Sequence, residues 1–202
     1  IEVRDFLEIA LRHRDAGLFD ADLEKFDIAI ANPPYIRTQV LGAERAQKIA
    51  RQFGLEGRVD IYFAFIEGIA EVLRPGGIAG IIVSNRFMTT KAGELVRERI
   101  LERFEVIHVF DLGDSKLFEA AVLPAVLLLR KKNGYPAAGV ARMSSIYTAS
   151  AGEATVSANS PIEALCAAGD VSVGNLIFHD KHGTLDHSGG VWRVATESGD
   201  QW

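Results

Sequence analysis

The sequence predicts an α/β protein in which helices cover both faces of one sheet. Short apolar runs alternate with segments whose apolar residues recur every three or four positions, the pattern of strands alternating with helices. The last two apolar runs are joined by about a dozen residues without a helical pattern, so they form an antiparallel hairpin rather than a parallel pair. The residues beyond the hairpin predict only a small irregular or β-rich segment.

The first elements are the most distinct. Phe26–Ala31 is an apolar run that two prolines end, which predicts a short strand. Asp60–Leu73 predicts a helix, because Asp60 is a favourable N-cap residue and the apolar side chains that follow recur at helical spacing. Arg74–Gly77 contains Pro-Gly-Gly and predicts the turn that ends this helix.

The later elements complete a partial Rossmann-like sheet, predicted to be mostly parallel before its last hairpin. They are a strand, a helix and the two hairpin strands, at Ile78–Val83, about Thr90 to Phe104, Glu105–Phe110 and Val122–Arg130. In that helix one face is apolar and the other charged, which places Leu95, Ile100 and Leu101 inward and Arg97, Glu98, Glu102 and Arg103 outward.

Composition excludes several classes of protein. The chain of 202 residues is 48% hydrophobic with a net charge of −5, which excludes wholesale disorder and gives no sign of a basic nucleic-acid binder. The single cysteine excludes an internal disulfide and fits a reducing compartment such as the cytoplasm. The longest apolar run is too short for a membrane span. Charge divides the chain into residues 1–133 and an acidic portion, 134–202.

Asn32-Pro33-Pro34-Tyr35 is the motif most informative about chemistry. It follows an apolar strand, and the carboxyl ends of strands form the ligand crevice of an open α/β sheet. The prolines stiffen the turn and remove backbone donors, while the Asn32 side chain and the Pro33 carbonyl supply two acceptors. Two acceptors beside the flat Tyr35 ring suit a planar amine or amide that offers two N–H groups. The competing interpretation is a rigid turn that merely ends the strand.

On these residues the chain resembles S-adenosylmethionine-dependent N6-adenine DNA methyltransferases, and most of all the methylases of type IIG restriction–modification enzymes and related phage-defence systems. The resemblance covers roughly residues 1–133, the catalytic half of such a domain. Besides Phe26 to Ile36, it rests on the segments Ile1 to Leu7, Asp60 to Met88 and Phe104 to Lys131.

The resemblance implies a role for several residues. Asn32, Pro33, Pro34 and Tyr35 would hold the amino group of an adenine turned out of double-stranded DNA, with S-adenosylmethionine as the methyl donor. Tyr35 and Phe118 would stack on that base, and Asp5 and Phe6 would contact the cofactor. For Phe118 a core position, and for Asp5 a helix cap or ion pair, remain equally open.

One family feature is missing from the sequence. The glycine-rich cofactor loop would lie upstream, and Gly76-Gly77 stands between a helix and a strand, the wrong order for such a loop. We therefore expect a fragment of a longer methyltransferase that binds cofactor poorly by itself. The strand at Ile28 would present a bare edge through which copies associate. Residues 134–202 would be a linker or the start of a target-recognition region, and DNA would be gripped elsewhere.

Other functions remain open. The same tetrapeptide suits the glutamine of a release factor or a ribosomal-RNA base, and a subunit that holds a base or a partner chain without transferring methyl is the non-enzymatic alternative. His179, His182 and His187 lie near Asp180 and Asp186, but their glycine-rich surroundings resemble a loop. We predict no metal site.

Overall fold

The computed structural model describes residues 4–16, 23–34, 49, 51–54, 61–113, 123–134, 140–148, 156–167, 169–185, 191–192 and 194–195. The helices in these ranges are α1 Phe6–Ala16, α2 Tyr62–Val72, α3 Arg86–Thr89, α4 Glu94–Arg103 and α5 Pro161–Cys166, with a 3₁₀ turn at Lys91–Gly93. The strands are β1 Phe26–Ala31, β2 Leu73–Ser84, β3 Phe104–Asp111, β4 Pro124–Lys131, β5 Val140–Thr148, β6 Val171–Val173, β7 Leu176–Leu185 and β8 Val194–Ala195.

All described strands join one sheet in the order β1-β2-β4-β3-β5-β7-β6, and β8 pairs with β7. β1 and β2 are parallel, as are β3 and β5, whereas the other pairs are antiparallel. The predicted α/β sheet and its β3–β4 hairpin are therefore confirmed. The expected predominance of parallel pairs is wrong, because β4 lies antiparallel between β2 and β3, and the strands beyond β5 add further antiparallel pairs.

The main core lies between one face of this sheet and helices α1, α2 and α4. Alternate residues of the central strands point into it and are fully buried, namely Ala79, Ile81 and Val83 of β2 and Ala125, Leu127 and Leu129 of β4. Helices α1 and α2 pack closely because Gly68 has no side chain, and a Cβ there would lie 2.9 Å from Ala10 Cβ. This packing fixes the N-terminal ends of both helices beside the carboxyl end of β1.

The opposite face of the sheet is covered at its C-terminal end. A second cluster packs α5 against β3, β5 and β7 through Ala164, Leu112, Ile146 and Phe178. Nearby, Ser144 Oγ lies 2.8 Å from His108 Nε2 and donates to Asp180 Oδ1, while Arg142 donates to Asp180 Oδ2. These groups are buried or half-buried, and their hydrogen bonds join the C-terminal strands to β3.

Two predicted elements differ from the structure. Helix α2 passes directly into β2 at Leu73, so Arg74–Gly77 is a bulge inside the strand: Phe26 pairs with Leu73 while Ile28 pairs with Ile78. Gly76 makes this bulge possible with φ +81°, a conformation that side chains disfavour. Helix α4 begins at Glu94 rather than near Thr90, because α3 and a 3₁₀ turn precede it. Asp60, the predicted cap of α2, lies outside the described residues.

Arg97 was predicted to face solvent and is instead buried. Its guanidinium donates to the Phe87 carbonyl at 2.5 Å and to the Thr90 carbonyl at 3.0 Å. Burial lowers the pKa of this group from its ordinary value. Among the described helices none is both long and apolar enough to cross a membrane.

Candidate active site

The candidate site lies where β1 ends. Ala31 is the last residue of the strand and pairs with Ile81 of the parallel strand β2, so Asn32 follows directly at the carboxyl edge of the sheet. Pro33 and Pro34 cannot extend the ladder, because they lack backbone N–H groups. The sequence therefore ends the strand at the point where ligands bind in open α/β sheets.

Both predicted acceptors are available in the structure. The Asn32 side chain is exposed and Pro33 is buried. No described residue donates a hydrogen bond to the Asn32 side chain or to the Pro33 carbonyl. Tyr35, the predicted stacking partner, lies outside the described residues. Within the described ranges, therefore, neither oxygen is occupied by a protein donor, and a role for them in ligand binding stays a prediction.

A cavity of about 450 Å³ connects this turn to α1. Asn32, Pro33 and Phe6 line it together, so residues predicted for the reacting base and for the cofactor meet in one space. Its remaining walls are apolar and come from β1 and the two neighbouring helices, at Ile9, Phe26, Ile28, Ala29, Ile30, Ala31, Phe65, Ile69 and Val72. A mostly apolar cavity with a few polar groups at one end is typical of a site for a planar organic ligand.

Asp5 and Phe6 stand at the start of α1. Asp5 Oδ1 accepts from the Leu7 N–H at 2.9 Å and the Glu8 N–H at 3.4 Å, so Asp5 caps the helix. Its other oxygen, Oδ2, accepts no hydrogen bond from any residue in the described ranges. The Phe6 ring stacks on Phe65 with 5.5 Å between centroids, which fixes its position at the cavity. The cap is what the structure shows, and contact with a cofactor stays a prediction for both residues.

The next strands contribute polar groups that the sequence analysis missed. Asn85 Nδ2 donates to Asp111 Oδ1 at 3.1 Å, joining the carboxyl ends of β2 and β3 across β4. The same carboxylate oxygen accepts from the Gly113 N–H, also at 3.1 Å. Gly113 is the last described residue before the segment that contains Phe118, so Phe118 lies outside the described residues. An asparagine directly after a buried strand was the available signal for this link.

The histidine-rich segment was predicted to be a loop, but His179, Asp180 and His182 lie in strand β7, where they pair with β5. Within the described ranges no three His, Cys, Asp or Glu side chains converge on one point. His179 forms an ion pair with Asp170, and Asp180 belongs to the buried group around Ser144. His187 and Asp186 lie outside the described residues.

The fold and this strand-end turn define a methyltransferase-like sheet, and comparison with known proteins specifies the family. Residues 4–118 match the model of the Eco57I restriction-modification methylase family, more than half of the chain, so the chain belongs to that family.

Two relatives illustrate the match. The chain is 48% identical over 131 residues to "Type II methyltransferase M.BanIII" from Aneurinibacillus aneurinilyticus, covering 63% of this chain and 23% of that protein. It is 33% identical over 112 residues to "Type II methyltransferase M.BstVI" from Geobacillus stearothermophilus, covering 54% of this chain and 20% of that protein. The chain therefore spans about a quarter or less of the length of these relatives.

A solved structure supports the fold. A chain from a type I restriction–modification system superposes with a TM-score of 0.53 at 21% identity, covering 72% of this chain and 27% of that chain. At this identity the likeness concerns the sheet and its helices.

Proposed function

We propose that the longer protein containing this chain is a DNA methyltransferase of a restriction–modification or phage-defence system that transfers methyl to N6 of adenine. The observation that supports this proposal most is the pair of acceptors, Asn32 Oδ1 and the Pro33 carbonyl, which belong to two lining residues of the cavity and accept no hydrogen bond from a described residue. Family membership supports the reaction class, and the two acceptors support the nitrogen nucleophile.

The acceptors activate an aromatic amine without a conventional base. The lone pair of such an amine is delocalised into the ring, which makes the nitrogen a poor nucleophile. When Asn32 and Pro33 accept both N–H hydrogens, negative charge builds on nitrogen and the pyramidal form needed for attack is favoured. The stiff Pro33-Pro34 turn holds the acceptors in place before the substrate arrives, so little reorganisation is needed during the reaction.

S-adenosylmethionine is the proposed methyl donor, and the residues at the start of α1 fit part of it. An exposed carboxylate with a free oxygen at Asp5 suits an adenine amine or ribose hydroxyls, and the half-buried Phe6 ring offers an apolar surface in the cavity. When bound, the cofactor would supply an electrophilic methyl group; the bond between this methyl and sulfur breaks as the adenine nitrogen attacks, and the nitrogen then gives up one N–H proton to water. Asp5 and Phe6 would orient the cofactor, while Asn32 and Pro33 would hold the amine in the same cavity.

Double-stranded DNA is the proposed partner, with the target adenine rotated out of the stack. Tyr35 and Phe118, both outside the described residues, are proposed to stack on the extruded base. We assign residues 1–133 to the catalytic half and 134–202 to a linker or the start of a target-recognition region. A recognition domain elsewhere in the longer protein would grip the duplex, and this activity is placed in the cytoplasm, where the single cysteine stays reduced.

A methyl-transfer assay tests this function. The full-length protein is incubated with tritiated S-adenosylmethionine and either unmethylated DNA, release factor or ribosomes. We expect label in DNA alone, recovered as N6-methyladenine after hydrolysis. Label in release factor or ribosomal RNA would move the same chemistry to another substrate. Absence of label from all three, with cofactor binding shown separately, would favour a subunit that holds a base or a partner chain without transferring methyl.

We also propose that the isolated chain self-associates through β1. This strand pairs with β2 alone among the described strands, and its Ile28 and Ile30 are 64% and 88% exposed. An open strand edge with exposed apolar side chains is a template for pairing with a second strand. Light scattering should show dimers or larger species for this chain and a shift toward monomer for Ile30→Lys. A monomeric wild-type chain would contradict the proposal.

A further inference from the structure

The segment that follows β2 displays two exposed cations at the same end of the sheet as the candidate site. Ala31 of β1 and Ile81 of β2 are paired neighbours. Both strands end within a few residues of that pair, and β1 continues into Asn32 while β2 continues into Arg86. Arg86 and Lys91 are both exposed. We call Arg86–Lys91 the β2 platform, and nothing in the proposed methyl-transfer chemistry uses it.

Hydrogen bonds to its backbone carbonyls hold the β2 platform in one conformation. Thr90 Oγ1 donates to the Arg86 carbonyl at 2.8 Å, and buried Arg97 donates to the carbonyls of Phe87 and Thr90. Gly93 passes so close that an added Cβ would lie 2.2 Å from the Phe87 carbonyl oxygen. The platform's backbone acceptors are therefore satisfied by the protein, and its exposed surface is left to side chains.

A distant residue strengthens this support. Trp192 is buried against Phe87 in an edge-to-face contact, with 5.3 Å between centroids. Its backbone N–H donates to the Met88 carbonyl at 2.8 Å. Trp192, which lies well beyond the residues that match the family, thus fixes the position of the β2 platform.

The two cations have no carboxylate partner among the described residues. Asp111, the acidic side chain at the end of β3, already accepts from Asn85 and Gly113. Glu94, three residues after Lys91, forms no ion pair with either cation. Two other exposed arginines do pair with acids, in Arg74–Asp27 and Arg130–Glu105, whereas Arg12 and Arg51 have no acid partner in the described ranges either. Two unpaired cations on a rigid surface form a site for anions.

We propose that Arg86 and Lys91 bind backbone phosphates of the DNA strand that carries the target base. This inference rests on the proposed function and adds a contact surface to it. A base turned into the site brings its flanking phosphates to the mouth of the cavity, where long basic side chains on a fixed backbone meet them. Such contacts position the strand and carry no sequence information, which suits a surface made of one arginine and one lysine.

The test measures DNA binding by the full-length protein as a function of salt. The double variant Arg86→Gln with Lys91→Gln is compared with the matched variant Arg74→Gln with Arg130→Gln, which removes the same charge at the opposite edge of the sheet. For Arg86/Lys91 the slope of log Kd against log salt should fall by about 2, since each phosphate contact contributes ~0.9. Affinity at low salt should weaken about tenfold or more, equally for different DNA sequences.

Four further outcomes separate this inference from its alternatives. Arg86→Lys should recover most of the lost slope, because a cation is restored. An equal loss in the Arg74/Arg130 variant would show a general charge effect and overturn the proposal, as would an unchanged slope in the Arg86/Lys91 variant. If the wild-type protein binds DNA with the expected slope but labels no adenine, the proposed reaction fails while the phosphate contacts stand.

Discussion

The two edges of the sheet use their charged side chains in opposite ways. At the amino edge, where β1 and β2 begin, lysines donate to the last carbonyls of two helices: Lys25 to Glu71 and Lys131 to Ala70 on α2, and Lys132 to Leu101 on α4. The arginines there pair with acids, in Arg74–Asp27, Arg103–Glu71 and Arg130–Glu105. Cations at helix C-termini offset the negative end of the helix dipole, so the charged side chains at this edge stabilise the fold.

At the carboxyl edge some polar groups pair with one another, as Asn85 does with Asp111, whereas others do not. The side chains of Asn32, Arg86 and Lys91 have no partner among the described residues. Helices α1, α2 and α4 also begin at this edge and direct their positive ends toward it. One edge therefore uses its charges for stability, and the other exposes the polar groups that the proposed DNA substrate would contact.

The largest effect should come from the carboxyl edge, with Asn32→Ala. Removing one of two acceptors should lower kcat for DNA methylation about 10² to 10³-fold, the usual cost of deleting a group that stabilises developing charge. Because the side chain is exposed and unbonded, the free energy of unfolding should change by less than ~0.5 kcal/mol. Single-turnover methyl transfer and urea unfolding measure the two quantities separately.

Asn175→Ala is a matched control for Asn32→Ala. Asn175 is also an exposed asparagine, but it lies in the turn between β6 and β7, away from the cavity. We expect wild-type kcat for this variant. If Asn32→Ala retained near-normal kcat, or lost activity only as far as its fraction of unfolded protein rose, Asn32 would have no part in the reaction. The proposed difference between the two edges would then be wrong.

Much of the sheet was predictable because local pattern and global burial agree. β1 was predicted with its observed bounds, and the β3–β4 hairpin within two residues at each described end. In β3 and β4 alternate side chains enter the core, so their apolar pattern shows which face is buried. In β1 the apolar pattern predicted the strand, although Ile28 and Ile30 are exposed. The position of Asn32 at a strand end followed from the two prolines alone.

The rest depended on contacts between segments far apart in the sequence. Arg97 has the spacing of a solvent-facing residue, and its burial follows from carbonyls that the turn of α3 presents to it. Trp192 supports α3 from about a hundred residues away, which no local pattern records. Asp5 shows a different limit: a carboxylate at a helix start suits a cap and a cofactor equally, and only coordinates reveal the cap.

The smallest effect should come from the amino edge, with Lys131→Met. Burial, and then the nearby Arg103 guanidinium, lower the pKa of the Lys131 ammonium from 10.5 to about 8. Between these values the folded state binds fewer protons than the unfolded chain, so this lysine makes stability rise with pH from about 8 to 10.5. Below pH 8 both states are protonated and the full cost of burying the charge remains.

Urea unfolding of wild type and Lys131→Met across pH 7 to 10.5 should therefore show converging or crossing curves. The wild-type chain should gain on the order of 1 kcal/mol relative to the variant over this window, because water screens the partly exposed ammonium and reduces the full linkage value. Lys132→Met controls for the loss of a lysine–carbonyl hydrogen bond to a helix end. Parallel pH profiles of stability for wild type and Lys131→Met would contradict the argument. A loss of methyl transfer in the Lys131 variant at pH 7 would also contradict it, because a residue at the amino edge would then contribute to catalysis.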